Sequence, residues 1–258
     1  MVPISLGIAI ITKNAAAHLA DCLASVREIA ADIVIVDSGS QDATLEIAER
    51  FGAQVFSHLD WPGFGIQKAR AVSYLQTDWI LSLDADEVLT PELASAIVET
   101  VSNGSDGVYS LSRLSNFCGR WMHHSGWRPD HVPRLFRRGM AAFSDDLVHE
   151  KLLFAGAAPV LRGDLLHYSY DGLDDVLDKL NRYSSAGARQ RHAKGKRSGG
   201  MGAVIGKAVW SFLRTYIVRR GFLDGREGFV LAVANAEGTY YRQLKLLYLS
   251  EQSPEISN

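Results

Sequence analysis

Residues 82–88, "SLDADEV", crowd Asp84, Asp86 and Glu87 directly behind an apolar run. Two carboxylates at i and i+2 in a tight turn, with only Ala85 between them, can reach one hard divalent cation. Mg2+ or Mn2+ suits such oxygen ligands and keeps water and substrate phosphates in the rest of its shell. The spacing alone fits a solvated turn equally well, with Glu87 favouring the positive end of a following helix. Asp37 in "VIVDSGSQD" ends another apolar run and is followed by small residues that let a ligand come close. A carboxylate there can accept from a sugar hydroxyl or a base N–H. The alternative is a helix-entry turn in which Ser40 caps a helix starting near Gln41. A nucleotide at the strand ends, with a cation on its phosphates, accounts for all of these acids together.

The elements that must position them alternate as in an α/β fold with a mostly parallel sheet covered by helices. Strands are expected at "LGIAII" (6–11), "DIVIVD" (32–37), "AQVFSH" (53–58) and "WILSLD" (79–84). Leu19, Leu23 and Val26 share one helical face, as do Leu45, Ala48 and Phe51 in the next helix. Thr90 before Pro91 marks a helix start, with Leu93, Ile97 and Val101 on its apolar side. The acids therefore fall between a strand's carboxyl end and the next helix, where open α/β sheets bind ligands.

The 258 residues are 47% hydrophobic and 22% charged, enough for a large core in one domain with an appendage. Cys22 and Cys118 are the only cysteines, which fits a reducing compartment better than a disulfide scaffold. The opening "MVPISLGIAIITKN" lacks a basic leader and turns polar quickly, so it is read as a first strand. No charge-free apolar stretch is long enough to cross a bilayer. A cytoplasmic protein is expected, with membrane association left open.

Beyond Val108 the pattern loosens into short segments around "GRWMHHSGWRPD". Trp121 and Trp127 there can stack on sugar rings, and Arg120 and Arg128 can pair with phosphates, an acceptor-binding set. The alternative is a compact loop whose tryptophans cover the sheet. A helix is expected from Leu173 to Arg191, with Leu173, Leu177, Leu180 and Ser184 on one face, and a break at "KGKRSGGMG". Residues 182–220 carry ten Lys or Arg and no Asp or Glu. Within them, "MGAVIGKAVWSFLRTYIVRR" sets Val204, Ile205, Val209, Phe212, Leu213, Tyr216 and Ile217 broadly opposite Lys207, Ser211 and Arg214. Such a basic amphipathic helix can lie on an anionic membrane surface or pack on the domain. No nucleic-acid-binding module accompanies the charge, and no nucleic-acid partner is expected.

"IAIITKNAAAHLADCLASV", "DIVIVDSGSQDAT", "GFGIQKARA" and "WILSLDADEVL" closely resemble glycosyltransferase family 2, which has the GT-A fold. "GRWMHHSGWRPDHVPRLFRR", "VHEKL" and "GFLDGREGF" resemble its lipopolysaccharide core branch, which adds β-1,4-glucose to the first heptose. The resemblance spans roughly residues 6–247 and implies a GT-A catalytic domain at 1–170. Its nucleotide-sugar half is 1–105 and its acceptor-side half 106–170, followed by a helical, basic extension at 171–258. It implies a UDP-sugar donor and a lipopolysaccharide core or other glycan acceptor, joined by inverting, Mg2+- or Mn2+-dependent transfer. A noncatalytic nucleotide-sugar or glycan-binding protein is the alternative of a different class.

Carried over by motif position, Asp37 contacts the uracil or ribose side of the donor, and Ile10, Thr12 and Asn14 line the first loop. Lys68 lies beside the nucleotide, its alternative being a helix-surface lysine. Asp84 and Asp86 position the ribose and the metal-bound diphosphate, and His167 completes the metal site. In "FSDDLVHEKL", Asp145, Asp146 and Glu150 offer three carboxylates for the base that deprotonates the acceptor. The "VHE" element favours Glu150, with Asp146 the runner-up, and His149 supports the loop or contacts the diphosphate.

Overall fold

A computed structural model describes residues 5–103, 107–144 and 150–252. Asp145, Asp146 and His149 lie outside the described residues. The chain divides into two units, described separately: Met1–Leu114 with Pro129–Tyr168, and Ser115–Arg128 with Ser169–Asn258. Residues 115–128 group with the C-terminal helices.

The first unit opens with β1 (Leu6–Thr12), α1 (Ala16–Val26), β2 (Asp32–Asp37), α2 (Thr44–Arg50), β3 (Gln54–Ser57), α3 (Phe64–Tyr74) and β4 (Trp79–Asp84). Next come β5 (Glu87–Leu89), α4 (Pro91–Ser102), β6 (Val108–Phe117), β7 (Arg120–Trp121), which belongs to the second unit, and β8 (His131–Arg137). They are followed by β9 (Ala141–Phe143), β10 (Leu152–Phe154) and β11 (Val160–Tyr170). The main sheet runs β3-β2-β1-β4-β8-β6-β11-β5, with β7 on β6, while β9 and β10 form a separate pair. β3, β2, β1 and β4 are parallel, and β8 pairs antiparallel with both β4 and β6.

β1 is apolar throughout because both of its faces are buried. Leu6, Ile8 and Ile10 pack with Leu19, Leu23 and Val26 of α1 and Leu93 and Ile97 of α4. Ala9 and Ile11 face the other way, against the side of Ala71 and Leu75. The chain winds from β1 outward to β3 and returns to place β4 on the other side of β1. The strand order therefore reverses between β1 and β4, the point where such sheets leave a crevice. Thr90 caps α4, accepting from the Leu93 amide at 3.3 Å, as its sequence position predicts. Leu45 lies exposed on α2, whose buried side is Thr44, Ile47 and Ala48.

The second unit holds α5 (Leu173–Ala193), α6 (Gly200–Leu213), a π-helical turn (Arg214–Val218), a 3-10 turn (Gly221–Asp224) and α7 (Gly225–Gln252). Phe117, Met122, Val176 and Leu231 form its apolar cluster, with Trp127 and Tyr170 against it. Asp224 is buried and gathers the 123–125 loop. It accepts from the His123 and His124 amides and, at 2.8 Å, from Ser125 Oγ. On α5, Leu173 and Leu177 are exposed and the inward face is Val176, Ser184 and Ala188. The inward face is therefore rotated from the expected one, sharing Ser184 with it.

Candidate active site

The carboxyl ends of β2, β1 and β4 lie side by side, with Thr12 paired to Asp37 and Ile11 to Asp84 in strand register. That pairing brings Asp37 and the acidic turn to one edge. Asp37, 1% exposed, accepts from Thr12 Oγ1 at 2.8 Å, the Gly39 and Ser40 amides at 2.9 Å and Ser40 Oγ at 2.5 Å. Burial pushes its pKa up, but the bonds from Ser40, Thr12 and Gly39 prevail and hold the carboxyl below its ordinary value. Ser40 thus serves Asp37 and caps no helix, since α2 starts only at Thr44. Asn14, exposed and with φ 52°, braces the neighbouring loop by accepting from the Gln41 amide at 2.8 Å.

Lys68 is not a surface lysine. It is 4% exposed, and its Nζ bridges Asp84 Oδ1 at 2.8 Å and Glu150 Oε1 at 2.9 Å. Gly65, one turn earlier on α3, makes this approach possible. A Cβ there would stand 1.9 Å from the Ser144 carbonyl oxygen and 3.3 Å from Glu150 Cβ. A glycine is therefore required where α3 meets the chain that carries Glu150.

Arg134 of β8 is the functional side chain that the sequence motifs did not single out. Its guanidinium donates to Asp84 Oδ2 and, at 2.8 Å, to Glu87 Oε1. Burial pushes Asp84 up, but the charges and hydrogen bonds of Arg134 and Lys68 overwhelm it and hold the carboxyl far below the carboxylate range. Glu87 favours no helix end. It starts β5, is fully buried, accepts from the Asp84 amide at 3.0 Å and lies 3.6 Å from Arg113 Nη1. Arg113 in turn pairs with Asp130 at 2.8 Å. Beneath the turn, Cys22 is buried; burial first, then Glu87, Asp86 and Asp84, push its thiol pKa up and make it a poor nucleophile.

Asp86 and His167 meet, with Oδ2 and Nε2 3.5 Å apart. β11 carries His167 opposite Glu87, and the Tyr168 amide donates to the Asp86 carbonyl at 3.0 Å. No group of three or more His, Cys, Asp or Glu side chains poised for a metal occurs among the described residues. Asp86 and His167 are the two side chains here that could hold a divalent cation shared with substrate phosphates. Asp84, Asp86, Glu87 and Glu150 against Lys68 and Arg134 leave a formal charge of about −2, which also suits a divalent cation.

Of the expected acceptor set, Arg120 and Trp121 form β7 and Arg128 follows Trp127, all in the second unit. The Trp127 ring packs edge-on to Phe117, with centroids 5.8 Å apart, and lies 6.2 Å from Tyr170. It does there what a tryptophan covering the sheet would do.

The sequence model described as "Glycosyl transferase family 2" matches residues 7–153, which include Asp37, Lys68, Asp84, Asp86, Arg134 and Glu150. The chain belongs to glycosyltransferase family 2. This family 2 chain is 30% identical over 249 residues to "Lipopolysaccharide core biosynthesis glycosyltransferase LpsC" of Rhizobium meliloti (strain 1021), covering 92% of this chain and 90% of that protein. It is 30% identical over 262 residues to an uncharacterized glycosyltransferase of Rickettsia prowazekii (strain Madrid E), covering 96% and 88%. Among solved structures, glucosyl-3-phosphoglycerate synthase from Mycobacterium tuberculosis, in complex with Mn2+, UDP and glucosyl-3-phosphoglycerate, aligns over 43% of this chain and 44% of that one. Its identity is 19% and its TM-score 0.37. The fold is the GT-A type that family membership implies, with its parallel strands at the nucleotide side and antiparallel strands completing the sheet.

Proposed function

We propose that this family 2 glycosyltransferase is an inverting, metal-dependent enzyme that moves glucose from UDP-glucose onto a heptose of the lipopolysaccharide inner core. The observation that carries the mechanism is Lys68, which holds the donor-side acid Asp84 and the base candidate Glu150 on one buried ammonium. The name of the Rhizobium relative supports the pathway.

Asp37, kept ionised by its hydrogen bonds, accepts from the uracil or ribose, with Thr12 fixing its carboxylate and Asn14 the adjoining loop. Lys68 and Arg134 supply positive charge beside the diphosphate, where charge grows as the leaving group departs. Asp86 and His167 would hold Mg2+ or Mn2+, which when bound neutralises that leaving group. The diphosphate oxygens compete with Glu150 for Lys68 and free the carboxylate toward the acceptor. Glu150 takes the proton from the acceptor hydroxyl, whose oxygen bonds to the anomeric carbon as the bond to the diphosphate breaks on the opposite face. UDP leaves and the configuration inverts. Asp146 is the second candidate for the base.

Acceptor recognition is assigned to Arg120, Trp121 and Arg128, with Trp127 stabilising their loop. The apolar residues Met201, Ile205, Val209 and Leu213 stand exposed along α6, within an interval of ten cations and no acids. That combination suits the anionic cytoplasmic face of the inner membrane. No helix among the described residues is long and apolar enough to cross a membrane.

The test is a panel of nucleotide sugars against truncated lipopolysaccharide acceptors ending at successive inner-core positions. UDP-glucose with an exposed first heptose is expected to give the most product. Transfer only to another polysaccharide or lipid-linked glycan keeps the chemistry and rejects the acceptor. Donor binding without turnover on any acceptor points to a binding protein.

A further inference from the structure

The second unit holds a half-open cavity of about 500 Å3 among α5, α6 and α7, within the size range of small-ligand sites, roughly 300–1,000 Å3. Five cations line it, the half-buried Arg191 and Arg242 and, at its open side, the exposed Lys207, Arg214 and Arg219, and no carboxylate does. The only side-chain partners these five find among the described residues are neutral: Lys207 donates to Gln243 Oε1 at 2.9 Å and Arg242 to Thr239 Oγ1 at 3.4 Å. Arg242 Nε is buried with no hydrogen-bond partner. Burial first, and then the charge of Arg191, pull the Arg242 pKa down.

The orientation of α6 points the same way. Packing by the hydrophobic effect alone turns an amphipathic helix apolar side inward. Here Val204 is buried and Phe212 packs on Phe229, yet Ile205, Val209 and Leu213 face out, while Lys207 reaches Gln243 and Ser211 Oγ donates to the Asn235 carbonyl at 3.1 Å. Clustered cations facing a cavity repel one another unless an anion joins them. Tyr183 and Trp210 at the wall offer aromatic surface suited to a sugar or glycerol moiety.

We propose that this cavity is an anion site for a phosphate ester carried by a polyol, with Arg191 and Arg242 as its main donors. The phosphate comes either from a phosphorylated glycan or from the headgroup of an anionic lipid. The site is independent of the transfer chemistry in the first unit, and its test involves no turnover.

The full chain, with chelator present, is titrated in a calorimeter with glucose 6-phosphate and, separately, with dihexanoylphosphatidylglycerol below its micelle concentration. Saturable binding of at least one probe is expected. It should weaken by about tenfold or more in Arg242→Gln and in Arg191→Gln, the effect of losing a charge-assisted hydrogen bond. UDP affinity is expected to stay unchanged in both. Preference for the sugar phosphate assigns the site to a glycan, and preference for the lipid assigns it to a headgroup. Should Arg242→Gln fail to fold, Arg191→Gln and Lys207→Gln, on two other helices, give the same readout. Absence of saturable binding by either probe, or wild-type affinity in the variants that fold, overturns the proposal.

Discussion

Replacing Arg134 by Met removes the charge on which the acidic turn closes and leaves a side chain of similar length. In the wild type the guanidinium, itself 8% exposed, serves the fully buried Glu87 at 2.8 Å and also Asp84. Without it, Glu87 keeps only the Asp84 amide at 3.0 Å and Arg113 at 3.6 Å. Breaking a buried pair from one side costs about 3–5 kcal/mol, because the remaining charge is left uncompensated. Asp84 retains Lys68 at 2.8 Å and its side chain is 30% exposed, so Glu87 carries most of the penalty. The lower end, about 3 kcal/mol, is therefore expected, or roughly 6–12 °C in Tm for a chain of this size. The pH dependence has a definite sign. Asp84 has a depressed folded pKa, so its stabilisation is present above the ordinary carboxylate value, about 4, and is lost as pH falls through the folded value. The variant depresses Asp84 less, so the gap between the two proteins holds its full size near neutrality and narrows in acid, as pH falls through the variant's own folded value. Urea unfolding followed by circular dichroism across pH measures both. A gap under about 1 kcal/mol at neutrality, or one that persists undiminished in acid, refutes the buried-pair argument.

Gly65→Ala places a methyl 1.9 Å from the Ser144 carbonyl oxygen, and a loss of about 1–3 kcal/mol in unfolding free energy is expected. Turnover should fall with it, because the Lys68–Glu150 bridge is displaced. Asp86→Asn should keep the fold and cut transfer by about 100-fold or more, since an amide is a poor ligand for a hard cation. Chelator should silence the wild type, and Mg2+ or Mn2+ should restore it. Sedimentation with anionic vesicles should show the wild type bound and Ile205→Ser/Val209→Ser released, with transfer to a short soluble acceptor unchanged.

The nucleotide side was legible because its signals are local. β2 and β4 fall on the residues that their apolar runs marked, and Asp37, Asp84 and Asp86 sit where strand ends put them. Lys68 was found by motif, but its burial was not legible, since that depends on Glu150, 82 positions away. Arg134, and the full burial of Glu87, escaped for the same reason. The antiparallel register that sets Leu81 against Leu135, and so brings Arg134 to the acidic turn, is a long-range property of the folded sheet. In the second unit, apolar periodicity misjudged α5, because that rule assumes a purely apolar interior and the cavity beside α5 mixes Arg, Lys, Asn and Gln with Val176, Leu180 and Leu231. α7 carries no clean apolar stripe, and its 28 residues were not recognised as one helix.

The stereochemical course of transfer, read with and without Glu150, tests the central claim most directly. UDP-glucose carries an α-linked sugar, and NMR of the product from a heptose-terminated acceptor reports its anomeric configuration. A β linkage is predicted, with Glu150→Gln keeping UDP-glucose affinity and losing about 100-fold or more of the acceptor-dependent rate. An α linkage, or wild-type turnover by Glu150→Gln, would contradict direct displacement with Glu150 as the base.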